Sequence, residues 1–146
     1  MRKSYMRFRA LALLIGTLSF GLAGAEAFAA AAKKPQLDIA HPGTVAIIEQ
    51  NGSFKYRHAE TGFPLYVSDR DKPGVSTCVA GCARAWVPLA VDAADKNNVG
   101  NWTIITREDG TRQWAYKGQP VYTLFHDNVE KPIGNGVEGV WHFLEP

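Results

Sequence analysis

The chain carries the same sequence pattern twice, and this repeat constrains the fold more than any single segment does. Residues 62–66 read GFPLY and residues 118–122 read GQPVY, an offset of 56 positions. In each copy an Asp follows the Tyr by five positions, and a later Gly precedes a Trp by five positions. The matching residues are Tyr66, Asp71, Gly81 and Trp86 in the first copy and Tyr122, Asp127, Gly136 and Trp141 in the second. Two copies of one small unit predict a single domain with internal pseudo-symmetry.

Turn and strand signals within each copy predict four β-strands. Asn51-Gly52 and Asp109-Gly110 are typical of two-residue hairpins, whose type I′ turns need positive φ at both central residues. β-Branched and aromatic residues dominate the neighbouring segments, and the only helix candidate is a turn around residues 79–85. We therefore predict an all-β antiparallel fold. Two tandem four-stranded repeats, residues 44–91 and 101–146, pack as one small sandwich or barrel-like domain.

The beginning of the chain has the composition of an export signal. Four basic residues and no acid occupy positions 1–9, a mainly apolar run covers residues 10–22, and residues 23–32 are rich in Ala. The apolar run is shorter than the roughly 20 residues that a membrane span needs. We therefore predict a signal peptide over residues 1–29, a flexible lead-in over 30–43 and a single domain over 44–146. The mature protein is expected in the periplasm or outside the cell, without a stable membrane anchor.

Removal of the signal changes the charge of the protein. Four of the 16 Lys and Arg residues and one of the 14 Asp and Glu residues lie within it, which leaves 12 basic and 13 acidic residues and a net charge of −1. The remaining basic residues form no run beyond Lys33-Lys34. This charge pattern is not typical of nucleic-acid binding, so no nucleic-acid partner is predicted.

Cys78 and Cys82 are the only cysteines, and an exported protein meets an oxidising compartment, which favours a disulfide between them. Bridged Cα atoms lie within about 7 Å, whereas four residues of strand span about 13 Å, so the chain between them must turn. The alternative is a copper site in which the two thiolates combine with a His such as His126. No Met remains after signal removal to complete such a site. No cofactor is predicted.

The repeated Tyr, Asp and Trp residues have structural roles in this interpretation. A buried Tyr hydroxyl needs a hydrogen-bond partner, and an Asp at a turn accepts bonds from backbone N–H groups. Because both motifs are duplicated, a catalytic dyad is not the favoured interpretation of Asp71 and Asp127. An exposed aromatic platform built from the Trp residues is the functional alternative. No catalytic residue is predicted.

These residues resemble a family of small secreted bacterial repeat proteins, often lipoproteins, described by a Tyr-x-aromatic-x-x-Asp motif. The resemblance rests on the repeated Gly, Tyr, Asp and Trp positions, on Cys78 and Cys82 before residues 86–88 (WVP), and on Asp109-Gly110. The aromatic position of the motif is Ser68 in one copy and Leu124 in the other, and Ala25 stands where a lipidated Cys would be. The resemblance implies the architecture and export and implies no activity.

Two functional hypotheses follow. The first is an exported, non-enzymatic binding or structural module of the bacterial envelope, whose partner is an unknown envelope protein or a small ligand. The second is a redox- or copper-linked accessory protein that uses the pair Cys78 and Cys82. Bound metal and the oxidation state of the two cysteines distinguish these hypotheses.

Overall fold

The structure is a computed structural model that describes residues 39–146 of the 146. The predicted signal peptide and most of the predicted lead-in lie outside these residues. Nine short strands, a one-turn α-helix and a 3-10 turn make up the fold. The strands are β1 (Val45–Gln50), β2 (Ser53–His58), β3 (Tyr66–Ser68), β4 (Trp86–Pro88), β5 (Trp102–Thr106), β6 (Arg112–Tyr116), β7 (Gln119–Pro120), β8 (Tyr122–Leu124) and β9 (Trp141–Phe143); α1 is Gly81–Ala85, and the 3-10 turn is Val137–Gly139.

Antiparallel pairing joins these strands into three sheets, which confirms the all-β class. β1 and β2 form one hairpin sheet, β5, β6 and β7 form a second, and the central sheet has the order β4-β8-β3-β9. Within residues 39–146 none of the three closes into a barrel. Over the same residues no helix has the length and apolarity that a membrane crossing requires.

The central sheet mixes strands from both repeats. β3 pairs with β8, with Tyr66 opposite Tyr122, and the closing strand of each repeat pairs with the Tyr strand of the other repeat. β3 corresponds to β8 in the other repeat, and β4 corresponds to β9. When each strand is replaced by its counterpart, the sheet has the same order read from its opposite edge, so a pseudo-two-fold axis passes between the two Tyr residues. The repeats thus do not form two separate four-stranded sheets, because their third and fourth strands pair across the repeat boundary.

The two hairpin turns differ in type. Asn51 and Gly52 have φ values of 53° and 75°, as the predicted type I′ turn requires. In the second hairpin Gly110 has φ 80°, but the loop is one residue longer and the Arg107 N–H bonds to the Thr111 carbonyl at 2.9 Å. The prediction of a two-residue turn at Asp109-Gly110 is therefore wrong. The Asp109 carboxylate accepts hydrogen bonds from the N–H and hydroxyl of Thr111, which favours this longer turn.

Both faces of the central sheet are buried. Neighbouring residues of a strand point to opposite faces, so each strand contributes side chains to two different clusters. Leu65 and Val67 face a core cluster that is shared with both hairpin sheets and contains Trp102 and Trp114. Tyr66, between them in sequence, faces a second cluster, which we call the aromatic cluster and which consists of Tyr66, Cys78, Trp86, Tyr122 and Trp141. The repeated motif thus lies at the interface of the two repeats.

Candidate functional site

The Tyr and Asp of the motif form two hydrogen-bonded pairs that cross between the repeats. The Tyr66 hydroxyl donates to Oδ2 of Asp127 at 2.6 Å, and the Tyr122 hydroxyl donates to Oδ2 of Asp71 at 2.7 Å. Each Tyr therefore bonds to the Asp of the other repeat. These crossed Tyr–Asp pairs follow from the strand exchange, since each Tyr strand lies in the middle of the shared sheet.

The second oxygen of each Asp fixes the loop that follows its strand. Oδ1 of Asp71 accepts hydrogen bonds from the N–H of Thr77 at 2.7 Å and from its hydroxyl at 2.9 Å. Oδ1 of Asp127 accepts from the N–H groups of Asn128 at 2.8 Å and Ile133 at 3.0 Å. Each carboxylate thus receives three hydrogen bonds and ties a loop of one repeat to the Tyr strand of the other.

Burial raises the pKa of both motif tyrosines. Desolvation, followed by the hydrogen bond to the Asp127 carboxylate, raises the pKa of Tyr66 far above its ordinary value of 10. Desolvation raises the pKa of Tyr122 to about 12, with the Ser76 hydroxyl opposing and Asp71 adding to the shift. Because the fold favours the neutral phenol of Tyr122, its contribution to stability is complete below pH 10.0 and is lost as the pH rises toward about 12.

The aromatic cluster repeats the same symmetry. The rings of Trp86 and Trp141 stack with centroids 3.7 Å apart and planes 7° apart. Tyr66 meets Trp86 edge to face at 5.4 Å, and Tyr122 meets Trp141 in the same way at 5.2 Å. All four side chains are buried. The four rings fill the space around the pseudo-two-fold axis and do not form an exposed aromatic platform.

Gly134 lies against this cluster, and its replacement by Ala is expected to destabilise the fold. A Cβ at Gly134 would lie 2.6 Å from Cζ of Tyr66 and 3.0 Å from the Trp86 ring, both held in place by packing. We expect Gly134→Ala to lower the free energy of unfolding by roughly 1–3 kcal/mol, the usual cost of overpacking. Urea denaturation measures this. Gly43→Ala is the control, because a Cβ there meets nothing within 4 Å; equal stability of the two variants would contradict the packing described.

Cys78 and Cys82 are joined in a disulfide with Cα atoms 5.2 Å apart, which confirms the predicted bridge. The chain between them turns into α1, as the spacing requires. The Cys78 carbonyl accepts a hydrogen bond from Nη2 of the buried Arg107 at 2.6 Å, and Nη1 of Arg107 donates to the Ser76 hydroxyl at 2.7 Å. Ser76 also bonds to the hydroxyl of Tyr122 at 2.7 Å. The disulfide loop is therefore connected to the motif.

Removing the bridge is expected to weaken the fold without abolishing it. The loop that the disulfide closes is short, so the bridge constrains the unfolded chain little, and Cys78→Ala/Cys82→Ala should cost no more than about 2–3 kcal/mol. Thermal unfolding of this variant and of the wild type, each with and without reductant, measures the effect. Reductant should lower the stability of the wild type only. A wild type that is insensitive to reductant, or a variant that fails to fold, would contradict this role.

The side chains of the alternative copper hypothesis form no metal site among residues 39–146. Cys78 and Cys82 are bonded to each other, and His126 is exposed, with φ 57° and its ring 3.9 Å from that of Phe125. His142 bonds instead to the Asp69 carboxylate at 2.7 Å. In the described part of the chain, no three His, Cys, Asp or Glu side chains are placed so that they could hold a metal ion.

Three cavities of the described residues are not lined by the Tyr, Asp or Trp residues of the motif. One, of about 270 Å³, lies beside the disulfide loop and is lined by Arg107, Ser76 and the acidic residues Glu108 and Asp109. Another, of about 210 Å³, lies against β2 and is lined by Arg57. A third, of about 250 Å³, has His58, Glu60 and Asp92 in its wall. Sequence reasoning missed the two arginines, because a lone Arg beside or within a strand is usually exposed.

Comparison with known proteins indicates a family to which part of the chain is similar, and it indicates no activity. No curated protein and no solved structure matches the chain. A protein-family model described as a secreted repeat of unknown function matches residues 103–145, which cover most of the second repeat, from the second residue of β5 to beyond the end of β9. The chain is therefore similar, over residues 103–145, to a family described as a secreted repeat of unknown function, and this match confirms the resemblance inferred from the motif.

Proposed function

We propose that the protein is an exported, non-enzymatic module of the bacterial envelope, in the periplasm or outside the cell. In this proposal the repeat motif forms a rigid scaffold and a cavity outside the motif provides binding. The observation that carries the proposal is the crossed hydrogen bonding of Tyr66 to Asp127 and of Tyr122 to Asp71. These bonds account for the duplicated residues as the connection between the two repeats.

The chemistry of the motif supports a scaffold more than a catalytic centre. General acid–base catalysis needs a group that titrates near the working pH and reaches the substrate. The pKa values of Tyr66 and Tyr122 are raised above the ordinary value of 10, which moves both phenols further from titration near neutral pH. Asp71 and Asp127 each accept three hydrogen bonds from the protein, and none of these four side chains lines a cavity described above.

Native mass spectrometry of the protein recovered from its own exported fraction tests this proposal. The expected species begins between residues 26 and 33, carries no lipid and no metal, and has a mass that corresponds to one disulfide. A chain with uncleaved Met1, or with a diacylglyceryl group at its N-terminus, would contradict the proposed form of export.

The same measurement tests the copper- or redox-linked alternative. That alternative requires Cys78 and Cys82 to be thiols, because the sulfurs of a disulfide are not thiolate ligands. If the protein contains two free thiols and one equivalent of copper, the scaffold proposal is wrong and the copper-linked function is supported. The disulfide and the bonds of the Cys78 segment to Arg107 support the structural role of the pair.

A further inference from the structure

Arg57 on β2 is a buried cation with few partners in the protein. Only 6% of its surface is exposed. Its guanidinium makes a single hydrogen bond to described residues, from Nη2 to Oε1 of Gln50 at 2.7 Å, and its buried Nε has no partner. Among residues 39–146, no carboxylate oxygen lies within 4.0 Å of it. Four of its five N–H donors therefore have no acceptor in the described protein.

Such an arrangement is costly unless another group provides the acceptors. Buried charged groups in proteins are normally paired and hydrogen-bonded, because the loss of hydration is otherwise uncompensated. Arg107, the other arginine that is buried within residues 39–146, donates three hydrogen bonds, to Ser76, Gln113 and the Cys78 carbonyl. The contrast identifies Arg57 as the buried cation whose donors, Nε among them, find the fewest acceptors within residues 39–146, and so as the position best able to receive an added anionic acceptor.

The cavity beside Arg57 has an apolar side and a polar side, and the polar side includes Gln50 and Asn51. Tyr56, Leu65, Phe143, Leu144 and Pro132 provide its apolar wall. Lys55 also lines it, but its ammonium bonds both oxygens of Glu145 at 2.7 Å, so its charge is already compensated. Of the two cations that line the cavity, Arg57 is therefore the one whose charge no carboxylate of the described residues compensates.

We infer that this cavity binds a small carboxylic acid with an apolar body. The carboxylate accepts hydrogen bonds from the guanidinium of Arg57, and the apolar body packs on Leu65, Phe143 and Leu144. A monoanion balances the single charge of Arg57, whereas a dianionic phosphate ester would leave one charge uncompensated. The cavity of about 210 Å³ is smaller than drug-sized pockets of about 300–1,000 Å³, which favours a small ligand. The inference deepens the proposed binding module and rests on it.

The cavity beside Arg107 is a poorer candidate for an anion. Three donors of Arg107 are already bonded, and the acidic residues Glu108 and Asp109 line the cavity. A bound anion would meet these two like charges. An anion bound at Arg57 would face no acidic residue among those that line its cavity.

Titration of the full mature chain with hexanoate, followed by ¹⁵N–¹H NMR and by calorimetry, tests the inference. We expect saturable shifts at the amides of Arg57, Leu65 and Leu144. Hexanol and hexyl phosphate should each bind at least tenfold more weakly than hexanoate. Arg57→Gln should reduce hexanoate affinity at least tenfold, whereas the matched control Arg70→Gln, at an exposed arginine, should stay within twofold of the wild type.

Each result decides the inference. Hexanol that binds as tightly as hexanoate would show that Arg57 receives no carboxylate, and hexyl phosphate that binds more tightly would assign the site to phosphate. Absence of saturable hexanoate shifts would overturn the site itself. If Arg57→Gln does not fold, the comparison of the three probes on the wild type still decides. Chemical conversion of hexanoate, visible in its own NMR signals, would instead contradict the non-enzymatic function proposed above.

Discussion

Replacing Trp141 with alanine is expected to lower the free energy of unfolding by roughly 3–5 kcal/mol. Its ring is buried, stacks on Trp86 with centroids 3.7 Å apart, and meets Tyr122 edge to face. Truncation removes these contacts and leaves a cavity at the pseudo-two-fold axis. A loss of this size threatens the folding of a domain whose total stability is of order 5–15 kcal/mol. Urea and thermal unfolding measure it, and Tyr66→Ala should behave in the same way.

Two matched variants separate packing from general effects of mutation. Phe125→Ala changes an aromatic side chain that is 59% exposed and should alter the free energy of unfolding by no more than about 0.5 kcal/mol. Asp127→Asn should cost much less than Trp141→Ala, because the amide oxygen still accepts the two backbone hydrogen bonds. If Trp141→Ala and Tyr66→Ala keep wild-type stability and lose affinity for a ligand, these aromatics are a binding surface and the scaffold interpretation is wrong.

Replacing Arg107 with methionine is expected to cost about 3 kcal/mol. The substitution keeps an unbranched side chain but removes the donors to Ser76, to Gln113 and to the Cys78 carbonyl. Each buried acceptor that loses its donor costs about 1–3 kcal/mol, and the removal of the buried charge offsets part of the sum. Chemical denaturation provides the measurement.

The control for this variant is Arg70→Met. Arg70 and its partner Glu138 form a surface ion pair in which both side chains are 59% exposed, so its loss should cost less than about 1 kcal/mol. Arg107→Met should also make Cys78–Cys82 easier to reduce, since the loop carrying the bridge loses its attachment. A variant with wild-type stability and wild-type sensitivity to reductant would contradict the structural role of Arg107.

The repeated sequence predicts the fold class and most strands, because hairpin signals and short alternating segments are local. The exchange of strands between the repeats is not local. Identical copies can pair within a repeat or between repeats, and the spacing from Tyr66 to Asp71 is compatible with both. The structure also shows what the third position of the Tyr-x-aromatic-x-x-Asp motif pairs with. Ser68 lies opposite Trp141 and Leu124 lies opposite Trp86, so this position pairs with the closing strand of the other repeat.

The two buried arginines could not be predicted from the pattern. β2 alternates apolar and polar residues, a pattern that puts Phe54 and Tyr56 on one face of the strand and Arg57 on the other. In the structure both Tyr56 and Arg57 are buried, and Phe54 is 48% exposed. Phe54 lies next to the hairpin tip, whereas Arg57 lies further along the strand and forms an isolated antiparallel β-bridge with Pro64. The environment of Arg57 thus depends on residues distant in sequence, such as Leu144 and Phe143 at the cavity wall.

A double-mutant cycle on the Tyr–Asp pairs tests the central claim, that the motif joins one repeat to the other. The free energies of unfolding of Tyr66→Phe, Asp127→Ala and the double variant are compared with the same cycle for Tyr66→Phe and Asp71→Ala. The structure predicts a coupling of at least about 1 kcal/mol for Tyr66 with Asp127, and less than about 0.5 kcal/mol for Tyr66 with Asp71. Coupling confined to Tyr66 and Asp71, within the first repeat, would contradict the exchanged arrangement.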